Sequence, residues 1–147
     1  MSDSADEATL GTGLSTGRLL RRGLVAACPA CGARGQFRWW VRMADRCHRC
    51  GLTFERIEGH WIGAIGINTI VSFGILLGSL IVSLVVTFPD FPVAQLMVAN
   101  IALAIAVPTL FFPVSRTLWT AIDIAMRPLE PHEVDWTVIG RANRRRR

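Results

Sequence analysis

Cys28-Pro29-Ala30-Cys31-Gly32 and Cys47-His48-Arg49-Cys50-Gly51 are the two stretches of sequence that decide the fold. They hold all 4 cysteines of the chain, as two CxxCG pairs with fifteen residues between them. This spacing is typical of a zinc ribbon, in which each CxxC turn directs two thiolates at one point. The glycine after each pair lets the backbone turn back without a Cβ clash. The sequence therefore predicts a metal site with Cys28, Cys31, Cys47 and Cys50 as ligands.

The residues around the cysteines predict short β-strands. Phe37, Trp39, Val41 and Met43 alternate with Arg38, Trp40, Arg42 and Ala44, which predicts a strand with one face inward. A second short strand is expected over 52–55. The predicted ribbon, 18–58, is too small to bury a sufficient core by itself. Structural zinc would stabilise it, on the order of 10 kcal/mol in small modules.

Two long uncharged stretches follow the ribbon. Trp61 to Phe88 has 28 residues without charge and Val93 to Val114 has 22. Each is long enough to cross a hydrocarbon core of about 30 Å. They are separated by the short segment 89–92, so we predict an antiparallel hairpin of transmembrane helices at 59–88 and 93–114.

The arginines predict the orientation of this hairpin. All 16 basic residues are Arg; nine precede Trp61, seven follow Val114, and the turn between the spans has none. By the positive-inside rule, both termini face the cytoplasm of a multi-pass protein of the cell (inner) membrane. Trp61 and Trp119 are predicted as aromatic anchors at the cytoplasmic interface. The polar segment 1–17 is expected to be a disordered leader.

A third pattern follows the second span. Over 115–128, apolar Leu118, Trp119 and Ile122 share one helical face, and Arg116, Thr120 and Asp123 share the other. This predicts an amphipathic helix along the inner leaflet, followed by a basic tail at 129–147 that attracts anionic lipid. The fold class predicted is therefore a membrane α-helical hairpin with a small N-terminal cytoplasmic β zinc ribbon and a C-terminal amphipathic interfacial helix.

Four residues inside the spans are predicted to act in helix packing. Asn68 lies about 10 Å and Asn100 about 18 Å from the cytoplasmic boundary, so a direct pair within one hairpin is not expected. Gly74 and Gly78 form a GxxxG step, which allows close packing against the second helix or against a partner. Neither span contains Asp, Glu, Lys or Arg, which disfavours a proton or ion path.

The cysteines leave several chemical interpretations open. Four thiolates fill the zinc tetrahedron, which disfavours zinc hydrolysis and favours a structural role without enzyme activity. Iron in the same geometry is a less favoured alternative. A thiol-redox or metal-handling protein is the rival interpretation. Nucleic-acid binding through residues 37–42 is disfavoured, because a strand with one buried face explains their alternation, and no small-molecule substrate is inferred.

The order of these features resembles the bacterial membrane family known as domain of unknown function 983. The resemblance covers Cys28 to about Glu133: CPxCG, an aromatic-rich segment, CxxCG, the hairpin, and Ser115-Arg116-Thr117-Leu118-Trp119 running into Arg127-Pro128-Leu129-Glu130. Family members often carry an acidic stretch where this chain has Glu58-Gly59-His60-Trp61. Some members are associated with respiratory oxidase assembly. We therefore expect a scaffold, adaptor or assembly factor with a membrane protein partner or a second copy of the chain.

Overall fold

The computed structural model describes residues 15–40, 42–56, 59–90, 92–130 and 132–144. This part of the chain contains four helices: α1 (Thr16–Leu24), α2 (His60–Thr87), α3 (Val93–Met126) and α4 (Trp136–Arg144). Of the predicted disordered leader, 1–17, the first fourteen residues lie outside the described ranges. Its last two, Thr16 and Gly17, belong to α1, so the leader boundary differs from the prediction.

Helices α2 and α3 are both long and apolar enough to cross a membrane. Their 28 and 34 residues correspond to about 42 Å and 51 Å of helix. The alternative of a buried helix in a soluble core does not fit, because α2 buries Ala64 and Ser72 alone among its residues. Large apolar side chains along both helices are exposed, such as Ile70 (74%) and Val98 (69%). An apolar surface of this extent is consistent with helices that cross a membrane.

Polar side chains connect the two long helices. Asn68 Nδ2 donates to the Pro108 carbonyl at 3.2 Å, and Ser79 Oγ donates to Asn100 Oδ1 at 3.3 Å. The two asparagines therefore do not pair with each other; each bonds to the opposite helix. Such interhelical hydrogen bonds average about 0.6 kcal/mol in membranes.

The predicted GxxxG step lies outside the contact between the two helices. Gly74 and Gly78 are both exposed, and a Cβ added at either residue meets nothing within 4 Å. The close approach of the helices occurs instead at Gly63, where an added Cβ would overlap the ring of Trp119. Trp119, predicted as an interfacial anchor, thus has its ring packed between α2 and α3. Trp61, at the start of α2, is 51% exposed.

Replacing Gly63 with alanine is expected to destabilise the hairpin. The new methyl group must displace the Trp119 ring, and overpacking of this kind typically destabilises a protein by about 1–3 kcal/mol. Gly66→Ala is the matched control in the same helix, because nothing lies within 4 Å of a Cβ added there. Unfolding in detergent micelles, followed by circular dichroism, would measure both variants. Equal stability of the two variants would contradict the close packing.

The segment predicted as a separate amphipathic helix is part of α3. The helix continues through Pro108 and Pro113 to Met126, so the predicted elements 93–114 and 115–128 form one helix. The prediction was also wrong about which face is covered by protein. Thr120 and Asp123, assigned to the solvent face, are buried, whereas the apolar Met126 at the end of the helix is 60% exposed.

Close packing of α1 explains why small and polar residues are buried on α3. A Cβ added at Gly23 would lie 2.9 Å from the Leu118 backbone, so the two helices touch at this glycine. Thr117 Oγ1 donates to the Gly23 carbonyl at 2.7 Å. Threonine suits this contact because it is small and its hydroxyl donates a hydrogen bond. An amphipathic pattern in the sequence does not indicate that a small donor is needed at this position.

The C-terminal segment is also packed against the protein. We predicted a basic tail over 129–147, but Leu129, Val134 and Ile139 are buried in the core cluster and α4 lies within this segment. The Asp135 backbone N–H donates to the Cys50 carbonyl at 3.0 Å. Sparse apolar residues therefore attach this segment to the ribbon despite its charge. Residues 145–147 of the terminal arginine run lie outside the described residues.

The β character of the predicted ribbon is not confirmed. Within the described residues the ribbon has two isolated antiparallel bridges, Phe37 with Met43 and Arg46 with Thr53, and no strand. The bridge between Phe37 and Met43 and the hydrogen bond from the Arg42 N–H to the Trp39 carbonyl form a turn instead of an extended strand. Trp39, predicted on an inward face, is 79% exposed. The remaining packing comes from α1, α3 and α4, which surround the cysteines.

Candidate metal centre

The two cysteine pairs adopt the same backbone geometry. In the first, the Cys28 N–H donates to the Ala33 carbonyl and the Gly32 N–H donates to the Cys28 carbonyl, both at 2.8 Å. In the second, the Gly51 N–H donates to the Cys47 carbonyl at 3.0 Å. Gly32 and Gly51 have φ angles of 75° and 74°, in the left-handed region that favours glycine. The glycine following each pair is thus required by the turn.

The four sulfur atoms meet at one point. Cys28 Sγ lies 3.7 Å from Cys50 Sγ, Cys31 Sγ lies 3.7 Å from Cys47 Sγ, and all four lie within 4.8 Å of one another. A tetrahedron with metal–sulfur bonds of about 2.3 Å has edges of about 3.8 Å. A disulfide would need about 2.05 Å between sulfurs. The four cysteines can therefore hold one metal ion in a tetrahedral S₄ site.

The thiols require a cation to ionise together. Hydrogen bonding with Cys31 raises the pKa of Cys28 far above its ordinary value, and burial adds to that effect. Hydrogen bonding with Cys28 lowers the pKa of Cys47. Ionisation of one cysteine is thus favoured while ionisation of its neighbour is disfavoured. A bound divalent cation removes this conflict, because it deprotonates coordinating thiols.

A buried arginine that the sequence analysis missed supports the first pair. Arg22, on α1, is 5% exposed, and its Nη1 donates to the carbonyls of Pro29 at 3.1 Å and Ala30 at 2.6 Å. Its positive charge lies beside a site that would carry a formal charge of about −2 with a divalent ion. Arg34, Arg46 and Arg49, which lie close to the cysteines in the sequence, are exposed. No local pattern distinguishes Arg22 from its neighbour Arg21.

A second arginine ties the ribbon to α3 and to the C-terminal segment. Arg56 Nε and Nη2 donate to the two oxygens of Glu133 at 2.8 and 2.9 Å, and Nη1 donates to Asp123 Oδ2 at 3.0 Å. Nη1 also donates to the Arg127 carbonyl at 3.0 Å. The Arg56 side chain is 10% exposed and that of Asp123 is 6% exposed. The bidentate pair with Glu133 fixes the ribbon to the C-terminal segment, and the bond to Asp123 fixes it to the end of α3.

Acidification is expected to weaken this attachment. Burial opposes ionisation of Glu133, but the hydrogen bonds from Arg56 and from the Glu130 N–H, together with the charge of Arg56, outweigh it, and the pKa of Glu133 lies below its ordinary 4.5. A lowered carboxyl pKa stabilises the fold above the unfolded-state value, and the contribution is lost as pH falls through the folded-state value. Acid unfolding of wild type and Glu133→Gln should therefore differ above about pH 5 and converge at lower pH. A constant difference would contradict this assignment.

His48 does not join the metal ligands. Its side chain is exposed, and its Nδ1 lies 3.5 Å from Nε2 of the buried Gln36. Gln36 Nε2 also donates to the Ala33 carbonyl at 3.1 Å, so Gln36 stabilises the turn of the first cysteine pair.

Comparison with known proteins supports the resemblance seen in the sequence. A family model described as "Protein of unknown function (DUF983)" matches residues 37–123, a range that holds the second cysteine pair, α2 and most of α3. A comparison with curated proteins and one with solved structures gave no match. Because the family model covers more than half of the 147 residues, the chain belongs to the DUF983 family.

Proposed function

We propose that this protein is a non-enzymatic scaffold of the inner membrane that presents a zinc-bound ribbon to a membrane protein partner. Both termini lie in the cytoplasm in this proposal, and the zinc is structural. The observation that most strongly supports this proposal is the closed, buried cluster of four sulfur atoms. All four cysteines are between 0% and 3% exposed, so no open coordination position faces solvent. Catalytic zinc sites keep such a position for water or substrate.

The choice of zinc rests on ligand chemistry. Four thiolates in a tetrahedron suit zinc or a one-iron centre, and zinc has no redox chemistry of its own. In a cytoplasmic location the thiols stay reduced, which favours metal binding over disulfides. Burial of all four sulfurs also disfavours the rival interpretation, because redox-active cysteines are partly exposed.

The attachment of the ribbon to α3 and to the C-terminal segment supports a role in presenting a surface to a partner. Arg56 connects the ribbon to α3 and Glu133, and Asp135 bonds to the Cys50 carbonyl. The second cysteine pair is thus held by the segment that follows the membrane hairpin. A rigidly held surface loses less conformational entropy when a partner binds.

One groove on this mounted ribbon offers polar and charged groups to a partner. It has a volume of about 550 Å³, and its lining includes Arg46, Arg49, Glu55, His132 and Asp135. Both arginines are exposed and stand beside the second cysteine pair. The two arginines suit acidic groups of a partner and Glu55 and Asp135 suit basic ones, with charge setting specificity more than affinity. The family resemblance makes a respiratory complex the first candidate partner.

The experiment is cross-linking of the full-length chain in intact membranes, followed by purification in mild detergent and identification of attached proteins. Arg46→Glu/Arg49→Glu is the test variant, and Arg141→Glu, an exposed residue of α4, is the control. We expect one membrane protein to be cross-linked by wild type and by the control, and to be lost from the test variant with its zinc content unchanged.

Two results would overturn the scaffold proposal. One is a cross-linking pattern that does not change in the Arg46→Glu/Arg49→Glu variant. The other is release of the metal with formation of a reversible disulfide under mild oxidant, which would identify a redox or metal-handling protein.

The orientation has a separate prediction. A reporter that is active in the periplasm is expected to be silent when fused after Arg147, because arginines flank both spans on the ribbon side. The same reporter inserted in the turn between α2 and α3, at Asp90, serves as the positive control. Activity after Arg147 with silence at Asp90 would reverse the proposed topology.

A further inference from the structure

One part of the ribbon is a tight turn that carries two tryptophans. The Arg42 N–H donates to the Trp39 carbonyl at 3.1 Å, and the Arg38 N–H donates to the Arg42 carbonyl at 2.9 Å. The bridge between Phe37 and Met43 closes the base of this turn. We call residues 38–40 and 42 the tryptophan tip. Its described side chains are all exposed, Trp39 at 79% and Trp40 at 50%.

A hydrogen bond places the tip beside the membrane helix α3. Trp40 Nε1 donates to the Thr109 carbonyl at 2.7 Å. Within a helix, the carbonyl of Thr109 would accept from residue 113, but Pro113 has no N–H. The proline therefore frees a carbonyl, and the indole of the ribbon satisfies it. The sequence signal for this contact was the proline, four residues after Thr109.

The level of this contact along α3 lies inside the apolar segment. Thr109 precedes Arg116, the first charged residue after the span, by seven residues, or about 10 Å of helix. Its neighbours Ile105 and Leu110 are 66% and 62% exposed. When those side chains are in lipid, the tip that bonds to Thr109 reaches the same depth.

We propose that the tryptophan tip inserts into the headgroup region of the leaflet on the ribbon side, with phospholipid as its ligand. Tryptophan suits this place, because its apolar ring favours the acyl boundary while its N–H needs a hydrogen bond. Arg38 and Arg42 flank the indoles, and long arginine side chains reach back to lipid phosphates. The tip then attaches the ribbon to lipid, in addition to the Arg56 ion pairs and the hydrogen bond from Asp135 to Cys50. This attachment is independent of the partner surface proposed above.

Depth-dependent fluorescence quenching tests this insertion. Full-length metal-loaded protein is reconstituted in vesicles of phosphatidylcholine and phosphatidylglycerol, with bromine atoms on the acyl chains near the headgroup. The difference between wild type and Trp39→Phe isolates the emission of Trp39. We expect that emission to be quenched by the brominated lipid and shielded from aqueous iodide. Trp136→Phe is the control, because Trp136 packs against the ribbon core.

Each alternative outcome overturns the proposal. Quenching of Trp39 by iodide and not by brominated lipid would place the tip in water. Shielding from both quenchers would show that protein covers the tip. Because the vesicles contain only this chain, the covering protein would be a second copy of it. An Arg38→Glu/Arg42→Glu variant adds a second readout: its Trp39 emission should lose most of its lipid quenching. Unchanged quenching in that variant would refute the contribution of the arginines.

Discussion

Replacing Cys47 with serine is expected to abolish metal binding and to unfold the ribbon while the two long helices remain. Serine removes one of four thiolates that converge within 4.8 Å. Metal binding supplies on the order of 10 kcal/mol of folding free energy to small zinc modules. The ribbon has two isolated bridges and no strand within the described residues, so little backbone pairing remains to replace that free energy. Metal content per chain and amide hydrogen exchange over residues 28–56 are the measurements.

His48→Ala is the matched control for this variant. It changes the adjacent residue, which is exposed and whose side chain lies 3.5 Å from Gln36. We expect one metal ion per chain and wild-type exchange protection in the control. Full metal content and full protection in Cys47→Ser would show that the four cysteines do not form the metal site.

Replacing Arg56 with methionine should detach the ribbon from the end of α3. The substitution leaves the carboxylates of Asp123 and Glu133 without the guanidinium that bonds to both. Removing one partner of a buried ion pair destabilises a protein by about 3 kcal/mol, because the remaining charge stays desolvated. Chemical unfolding in micelles and limited proteolysis of the ribbon would measure the loss. Arg49→Met, an exposed change beside the same cysteines, should have little effect.

A compensating variant separates the ion pairs from packing. Adding Asp123→Asn and Glu133→Gln to Arg56→Met neutralises both carboxylates, so part of the lost stability should return. A triple variant as unstable as the sum of its single changes would show that the charges are not coupled. The contact would then act through packing of the arginine stem alone.

The features that could be predicted from the sequence are those with a local cause. The cysteine spacing and the glycine after each pair are local requirements of the CxxC turn, and their φ angles agree with that reasoning. The two long helices follow from uninterrupted apolar composition, which needs no information about partners. The family assignment was also confirmed by the match over residues 37–123.

The features that were missed depend on contacts between distant parts of the chain. Thr120 and Asp123 read as a solvent face because periodicity records polarity and not the identity of the neighbour. Packing against α1 and the ion pair with Arg56 reverse that assignment. In the same way, the contact of Trp40 with Thr109 joins residues 69 positions apart. Alternation over 37–44 suggested a strand, but the turn at Trp39 exposes both tryptophans instead.

The most direct test of the account is the metal bound to the intact protein as purified. Elemental analysis and X-ray absorption at the metal edge should find one zinc per chain, with four sulfur ligands at about 2.3 Å, unchanged by mild oxidant or reductant. Iron in the site, or two disulfides with no metal, would contradict the central claim that these four buried cysteines form a closed structural zinc site.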